Sequence, residues 1–77
     1  MEFYIDDGKV IIIPSGMGYI VKIVGTTYNG NIPLPDKSAI EKFIESINKV
    51  KDAGYPITSD IAANIAGSVQ FEYLSDD

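Results

Sequence analysis

Short apolar runs separated by turn-forming residues make up the first third of the chain. Runs at residues 3–5 and 9–13 flank Asp7-Gly8, a dipeptide that suits the two-residue turn of a β-hairpin. A loop rich in proline and glycine at residues 14–18 then leads to a third apolar run at residues 19–24. This pattern predicts three β-strands.

A second turn signal follows these runs. Asn29-Gly30 predicts another hairpin-type turn, which leads into a short strand at residues 31–34. Pro33 has no backbone N–H to donate to a neighbouring strand. The fourth strand is therefore predicted to lie at an edge of the sheet.

Apolar residues then change to a helical spacing. Ser38 and Glu41 form a capping-box pattern, and Gly54 stands where a helix commonly ends in a glycine. Between these signals, the apolar positions recur every three or four residues, at Ile40, Phe43, Ile44, Ile47 and Val50. The pattern predicts one long amphipathic helix with a solvated charged face.

The remainder of the chain predicts a short helix and a last strand. Thr58 or Ser59 can cap a helix over residues 60–66, which Gly67 would end. In residues 68–74 apolar and polar positions alternate, as they do in a half-buried strand. The predicted order is ββββααβ, an α+β fold with a mostly antiparallel sheet of about five strands packed on the long helix.

Composition limits the classes of protein. The 77 residues suffice for a single domain, residues 1–77, and no apolar run is long enough to span a membrane. Since no basic start precedes a signal-like apolar core either, we expect a cytoplasmic protein, of the source organism or of a host cell, and the absence of cysteine agrees with a reducing compartment. The net charge is -5 and all the basic residues are lysines, so we expect no direct binding to nucleic acid and none to membranes.

Residues for catalysis or metal binding are scarce. Without histidine or cysteine, Ser15 has no partner to activate it as a nucleophile. Gly16-Met17-Gly18 begins like a phosphate-binding loop, but it lacks the third glycine and precedes a strand. The carboxylates do not follow the spacing of a calcium loop. We therefore expect no enzymatic activity, no cofactor and no metal.

Thr58, Ile61, Ala62, Ile65 and Gly67 loosely resemble the start of a helix-turn-helix. The resemblance stops at residues 68–74, which are β-prone, and no basic residue follows Lys51 to contact a phosphate. DNA binding through this segment is not predicted.

The apolar balance of the predicted sheet is the most informative feature. Residues 10–13 are apolar on both faces of their strand, and in residues 19–24 only Lys22 is polar. Strands of this kind are normally covered on both sides. One long helix covers one face, which leaves two alternatives for the other. Either another protein or a second copy buries it, or it is hidden within the monomer by the short helix or by curling of the sheet at Gly18 and Gly25.

Carboxylates cluster near both ends of the chain. If the first and last strands are neighbours, these charges share one edge; the simpler alternative is a solubilising surface. The candidate partner-binding residues combine this edge with the second sheet face: Glu2, Tyr4, Asp6, Asp7, Ile20, Lys22, Val24, Tyr28, Glu72 and Asp76.

The functional hypothesis is a non-enzymatic protein-binding module, an inhibitor or regulator that occupies a basic surface of a larger protein, which itself can be a nucleic-acid-binding surface. Its size and charge are typical of phage-encoded inhibitors of host defence such as anti-CRISPR proteins, and only these generic features support the comparison. The alternative is a homo-oligomer, for instance a homodimer, that assembles through its sheet face or an edge strand.

Overall fold

The computed structural model describes residues 1–74 and has an α+β fold. Four antiparallel strands lie in chain order in one sheet: β1 (Glu2–Ile5), β2 (Gly8–Ser15), β3 (Gly18–Gly25) and β4 (Asn29–Leu34). Two helices follow, α1 (Lys37–Asp52) and α2 (Ser59–Leu74). The α+β class is confirmed, and the predicted sheet of about five strands is corrected to four. Neither helix is long and apolar enough to cross a membrane.

The first hairpin turn lies one residue earlier than predicted. Ile5 pairs with Gly8, so the two residues between the strands are Asp6 and Asp7. Gly8 is itself a strand residue, opposite Gly25 of β3. This shift leaves the Asp7 side chain free to reach the second half of the chain.

Asn29-Gly30 is not a turn, contrary to the sequence prediction. Both residues belong to β4, and the connection from β3 runs through Thr26, Thr27 and Tyr28. A Cβ on Gly30 would lie only 2.7 Å from Tyr28 Oη, so the glycine makes room for a ring that packs against the core. β4 is an edge strand, as Pro33 predicted.

Helix α1 is confirmed, with a different cap. Its N-cap is Asp36, whose carboxylate accepts a hydrogen bond from the Ala39 N–H over 2.9 Å. Ser38 lies inside the helix, where its hydroxyl contacts Tyr73 Oη at 3.3 Å. Gly54 follows the helix with φ +88°, the left-handed conformation that favours glycine at this position.

Helix α2 is the largest difference from the sequence prediction. Residues 59–74 form one continuous helix instead of a short helix and a strand. Its buried positions Ala62, Ala66 and Val69 are spaced four and three residues apart, the period of a helix face. Phe71, which a strand would have buried with Val69, is 75% exposed. The continuous helix also excludes the turn at Gly67 that a helix-turn-helix would need.

One face of the sheet forms the core with both helices. The buried strand residues all project to the same side, because they alternate along each strand and face one another across it: Val10, Ile12, Val21, Ile23, Ile32 and Leu34. They join the buried faces of α1 and α2 in one cluster, with Phe43 fully buried. The two helices therefore lie on one side of the sheet.

Candidate functional site

The other face of the sheet is not covered by any described residue. We call it the open face, and its members are the side chains that alternate with the core residues: Glu2, Tyr4, Lys9, Ile11, Ile13, Ile20, Lys22, Val24, Asn29, Asn31 and Pro33. Tyr4 is 81% exposed, Ile13 41% and Val24 37%. The prediction of a second apolar sheet face without helical cover agrees with these exposures, and the alternative in which a helix hides it does not.

Apolar side chains on the open face are concentrated towards the β2–β3 turn. Ile13 lies opposite Ile20, and Ile20 lies opposite Pro33, so that one cross-strand row is wholly apolar. Ile11, two residues before Ile13 on the same face, extends this row towards the centre of the sheet. Neighbouring apolar residues on one face form a patch instead of isolated exposed groups.

Lysines dominate the charge of the open face. Lys9 forms an ion pair with Glu2, with 3.5 Å between Nζ and Oε2. Lys22 lies between Ile11 and Asn31 in the next row and has no ion-pair partner among residues 1–74. The face therefore carries more positive than negative charge, although the whole chain is acidic.

A polar junction joins the sheet to α2 at the opposite end from Ile13. We define it as Asp7, Thr26, Thr27, Ser59 and Asp60. Asp7 Oδ2 accepts hydrogen bonds from the Thr26 N–H at 2.9 Å, the Thr26 hydroxyl at 2.8 Å and the Ser59 hydroxyl at 2.7 Å. Two turns of the sheet thus meet the start of α2.

This junction caps α2 with groups distant in sequence. The Ser59 N–H donates to Asp7 Oδ1 at 2.7 Å, and the Asp60 N–H donates to Thr27 Oγ1 at 3.1 Å. The first N–H groups of a helix have no partner within it, and a carboxylate there also interacts favourably with the helix dipole. The hydrogen bond from the Ser59 hydroxyl, with others from Thr26, holds the pKa of Asp7 well below its ordinary value. Hydrogen bonds from Thr58 and Thr27 likewise lower the pKa of Asp60.

Ser59 has a structural role in this arrangement. It is fully buried, and its Oγ accepts hydrogen bonds from the Thr27 N–H at 3.1 Å and the Tyr28 N–H at 3.0 Å while it donates to Asp7. A nucleophile must reach its substrate and be deprotonated by a neighbouring base. The Ser59 hydroxyl is enclosed by its own chain, and its acceptor Asp7 has a lowered pKa and is therefore a weak base, so we assign the junction to the architecture.

A groove of about 380 Å³ lies between β1 and α1. Its apolar lining includes Phe3 and Ile5 from β1 and Ile44 and Ile47 from α1, and Lys51 borders it. Neither helix packs closely on β1, because α1 and α2 contact the sheet mainly at β3 and β4. We call this feature the β1 groove.

The predicted partner-binding residues do not form one surface. One group shares the open face: Glu2, Tyr4, Ile20, Lys22 and Val24. The others are separated from it. Asp6 lies in the first turn, Asp7 is committed to the polar junction, and Tyr28 packs against the core. Glu72 lies near the C-terminal end of α2, about 20 Å along the helix from Ser59 at the rise of an α-helix. Asp76 lies outside the described residues.

The condition for a shared acidic edge is therefore not met by the described residues. It required residues 68–74 to form a strand next to β1, whereas they are helical and α2 lies over β3 and β4. Glu2 and Glu72 consequently belong to different parts of the surface.

Neither the polar junction nor the β1 groove is apparent from the sequence pattern. The sequence offered Thr58 or Ser59 as the cap of this helix, and the local pattern does not reveal the tertiary partners Asp7 and Thr27. The β1 groove depends on where α1 crosses the sheet, for which helical periodicity gives no signal.

Comparison with known proteins adds no relative. No protein-family model, no curated protein and no solved structure matches the chain.

Proposed function

We propose that this protein is a non-enzymatic binding module that docks onto another protein through its open face. The apolar row formed by Ile13, Ile20 and Pro33 supports this proposal, since it lies on a face that no described residue covers. Burying such a patch stabilises a complex by about 25 cal/mol for each Å² of apolar surface removed from water. Tyr4 adds an exposed aromatic ring, a side chain enriched at protein interfaces.

The charges of the open face suggest the chemistry of the partner. Lys22 has no carboxylate partner in the described chain and lies next to Ile11 across the strands. An interface buries such a cation favourably only when the partner supplies an opposite charge. We infer a partner surface with an apolar centre and carboxylates at its border.

The narrower hypothesis, an inhibitor of a basic and nucleic-acid-binding surface, stays a prediction, as does the comparison with anti-CRISPR proteins. It depended on acidic residues beside the open face, and the acidic residues of the helices lie on the opposite side of the sheet. A partner for that acidic side would be a separate interaction. A cytoplasmic location remains part of the proposal, and the cysteine-free sequence agrees with it.

The proposal is tested with a charge placed in the apolar row. A partner is captured with the wild-type protein, purified, and titrated with the wild-type protein and with Ile13→Lys. Ile13 is partly exposed and points away from the core, so we expect the variant to fold. In the apolar centre of the interface, away from the carboxylates at its border, the ammonium group would be buried unpaired and should weaken binding about tenfold or more, which corresponds to at least about 1.4 kcal/mol.

Leu74→Lys is the matched control. Leu74 is 61% exposed on α2, on the opposite side of the molecule. Its substitution should change the dissociation constant by less than about twofold, the range expected for a charge outside an interface. Equal losses in both variants, or an unchanged affinity for Ile13→Lys, would contradict docking through the open face.

A further inference from the structure

The outer edge of β1 has unpaired backbone groups. Met1 and Ile12 exchange hydrogen bonds, and antiparallel pairing alternates, so Phe3 and Ile5 also point their N–H and C=O groups towards β2. The backbone groups of Glu2 and Tyr4 point outward. Among residues 1–74 they have no hydrogen-bond partner, and beyond them the edge is closed by the bond from the Asp6 N–H to the Ile57 carbonyl at 2.9 Å.

The edge formed by β4 is protected in a way that β1 is not. By the same alternation, the outward positions of β4 are Asn29, Asn31 and Pro33. Pro33 has no N–H, and its carbonyl accepts a hydrogen bond from the Gln70 side chain at 3.1 Å. Proline and a covering side chain are common defences against strand addition. β1 has neither device among the described residues, so the two edges are not equivalent.

The free groups of β1 complement a second copy of themselves. When two β1 strands lie antiparallel with Phe3 opposite Phe3 of the second copy, Glu2 lies opposite Tyr4 of that copy, and Tyr4 opposite its Glu2. Both pairs consist of residues whose N–H and C=O groups point outward, so every free group finds a partner. Phe3 then forms the closely spaced, non-hydrogen-bonded pair at the centre, where side chains are nearest.

The β1 groove lies under this edge, on the side to which Phe3 points. Phe3 and Ile5 line the groove, so two copies would bring their grooves together and place the two Phe3 rings between them. Aromatic pairs across strands add to the stability of a sheet. An extended strand both satisfies the edge and fills an apolar groove beneath it, as in recognition by strand addition.

We propose that two copies of this chain pair through β1 in this register and form one continuous sheet with a two-fold axis at Phe3. The proposal uses the backbone groups of the β1 edge and the β1 groove, and not the apolar row at Ile13 and Ile20, so it stands or falls separately from the proposed function. The dimer would place two open faces on the same side of one sheet and present a binding surface of twice the width.

Cross-linking through an introduced cysteine tests the register. The natural sequence has no cysteine, so Phe3→Cys provides a single thiol for each chain. In the proposed dimer the two Cα atoms at position 3 are about 4.5 Å apart, within the range of about 4.4–6.8 Å that a disulfide bridges. We expect mild oxidation to convert this variant to a disulfide-linked dimer.

Glu2→Cys and Tyr4→Cys are matched controls one residue away on the same edge. Each of these positions faces the other and not itself across the axis, which separates the two thiols beyond the reach of a disulfide. They should remain largely monomeric after oxidation and denaturation. Equal cross-linking of all three variants would indicate random collisions and would overturn the register.

The oligomeric state of unmodified protein provides a test that does not depend on the Phe3→Cys variant folding. Sedimentation equilibrium should detect a dimer of the wild-type chain, and a strict monomer at high concentration would overturn the proposal. Because each copy carries a net charge of -5, dimerisation should strengthen with added salt.

Proline substitutions on the two edges locate the contact. Tyr4→Pro removes an outward N–H and no hydrogen bond within the monomer, and it should raise the dissociation constant of the dimer about tenfold or more. Tyr4→Thr keeps the N–H and controls for the lost ring. Asn31→Pro makes the equivalent change on β4 and should leave the dimer intact. If Asn31→Pro disrupted it instead, the contact would lie at β4 and the proposal would be wrong.

Discussion

The Ser59 N–H donates to Asp7 Oδ1 over 2.7 Å, and this hydrogen bond joins the first turn of the sheet to the first residue of α2, 52 residues later in the chain. The Ser59 hydroxyl also donates to Asp7 Oδ2 at 2.7 Å. One carboxylate therefore links the first turn of the sheet to the start of the last helix.

The first prediction concerns the acid stability of this link. The pKa of Asp7 lies well below its ordinary value of 3.8, chiefly because the Ser59 hydroxyl donates to the carboxylate. In the acidic range below the ordinary pKa, the unfolded chain binds the proton and the folded chain does not, so acid favours unfolding. The contribution of Asp7 is complete above pH 3.8 and is lost as the pH falls through the lowered folded-state pKa.

Chemical denaturation of the wild-type protein and of Asp7→Asn, at a series of pH values from neutral to strongly acidic, measures this effect. Asp7→Asn should be less stable at neutral pH and should lose less stability on acidification than the wild type. Asp6→Asn, whose side chain makes no hydrogen bond to the described chain, should keep the wild-type pH profile. Parallel profiles for the wild type and Asp7→Asn would show that the carboxylate is not stabilised in the folded state.

A second prediction isolates the buried hydroxyl of the same junction. Ser59→Ala removes the acceptor of the Tyr28 N–H and one donor to Asp7, while the Thr27 N–H keeps its second acceptor, Asp7 Oδ2. An unsatisfied buried polar group costs about 1–3 kcal/mol. We expect the free energy of unfolding in urea to fall by about that amount.

Ser68→Ala is the control, because Ser68 is exposed in the middle of the same helix. Alanine is a better helix former than serine, so this variant should be as stable as the wild type or slightly more stable. If the two alanine variants had the same stability, the hydroxyl of Ser59 would not be needed at the junction.

The sequence predicted the parts of the fold that depend on local signals. Strands β1 to β3 follow from the apolar runs, and the edge position of β4 follows from Pro33. The length of α1 follows from the helical period of its apolar residues. Asn29-Gly30 was misassigned because the same dipeptide that suits a turn also suits a strand position crowded by the Tyr28 ring. Local propensity cannot distinguish the turn from the strand position, because the position of the Tyr28 ring is set by its packing against the core.

The prediction of a strand over residues 68–74 was wrong for a related reason. Val69, Phe71 and Tyr73 alternate like a strand, but the helix selects Val69 and Tyr73, four residues apart, for contact with the core. Short apolar segments fit both periods. The open face was predictable because it needed only the count of apolar residues on both faces of β2 and β3, whereas the junction and the β1 groove needed the packing of the helices.

The third prediction distinguishes a continuous α2 helix from a short helix followed by a strand over residues 60–74. If Gly67 ended a short helix, it would adopt a left-handed conformation and alanine would destabilise the protein. In the structure Gly67 lies inside α2 without a positive φ, and a Cβ added there meets no atom within 4 Å. Gly67→Ala should therefore stabilise the protein by about 0.5–1 kcal/mol, the cost of glycine in a helix interior.

Gly54→Ala is the opposite case and serves as the control. Gly54 also has open space around its Cα, so the two substitutions differ in backbone conformation and not in crowding. With φ +88° at Gly54, alanine should lower the free energy of unfolding by about 1 kcal/mol or more, because its Cβ is disfavoured in the left-handed region. Thermal or urea denaturation measures the change in the free energy of unfolding for each variant. A loss of stability in Gly67→Ala comparable to that in Gly54→Ala would contradict the continuous α2 helix. A gain in Gly67→Ala together with a loss in Gly54→Ala would show that the backbone at Gly67 is helical.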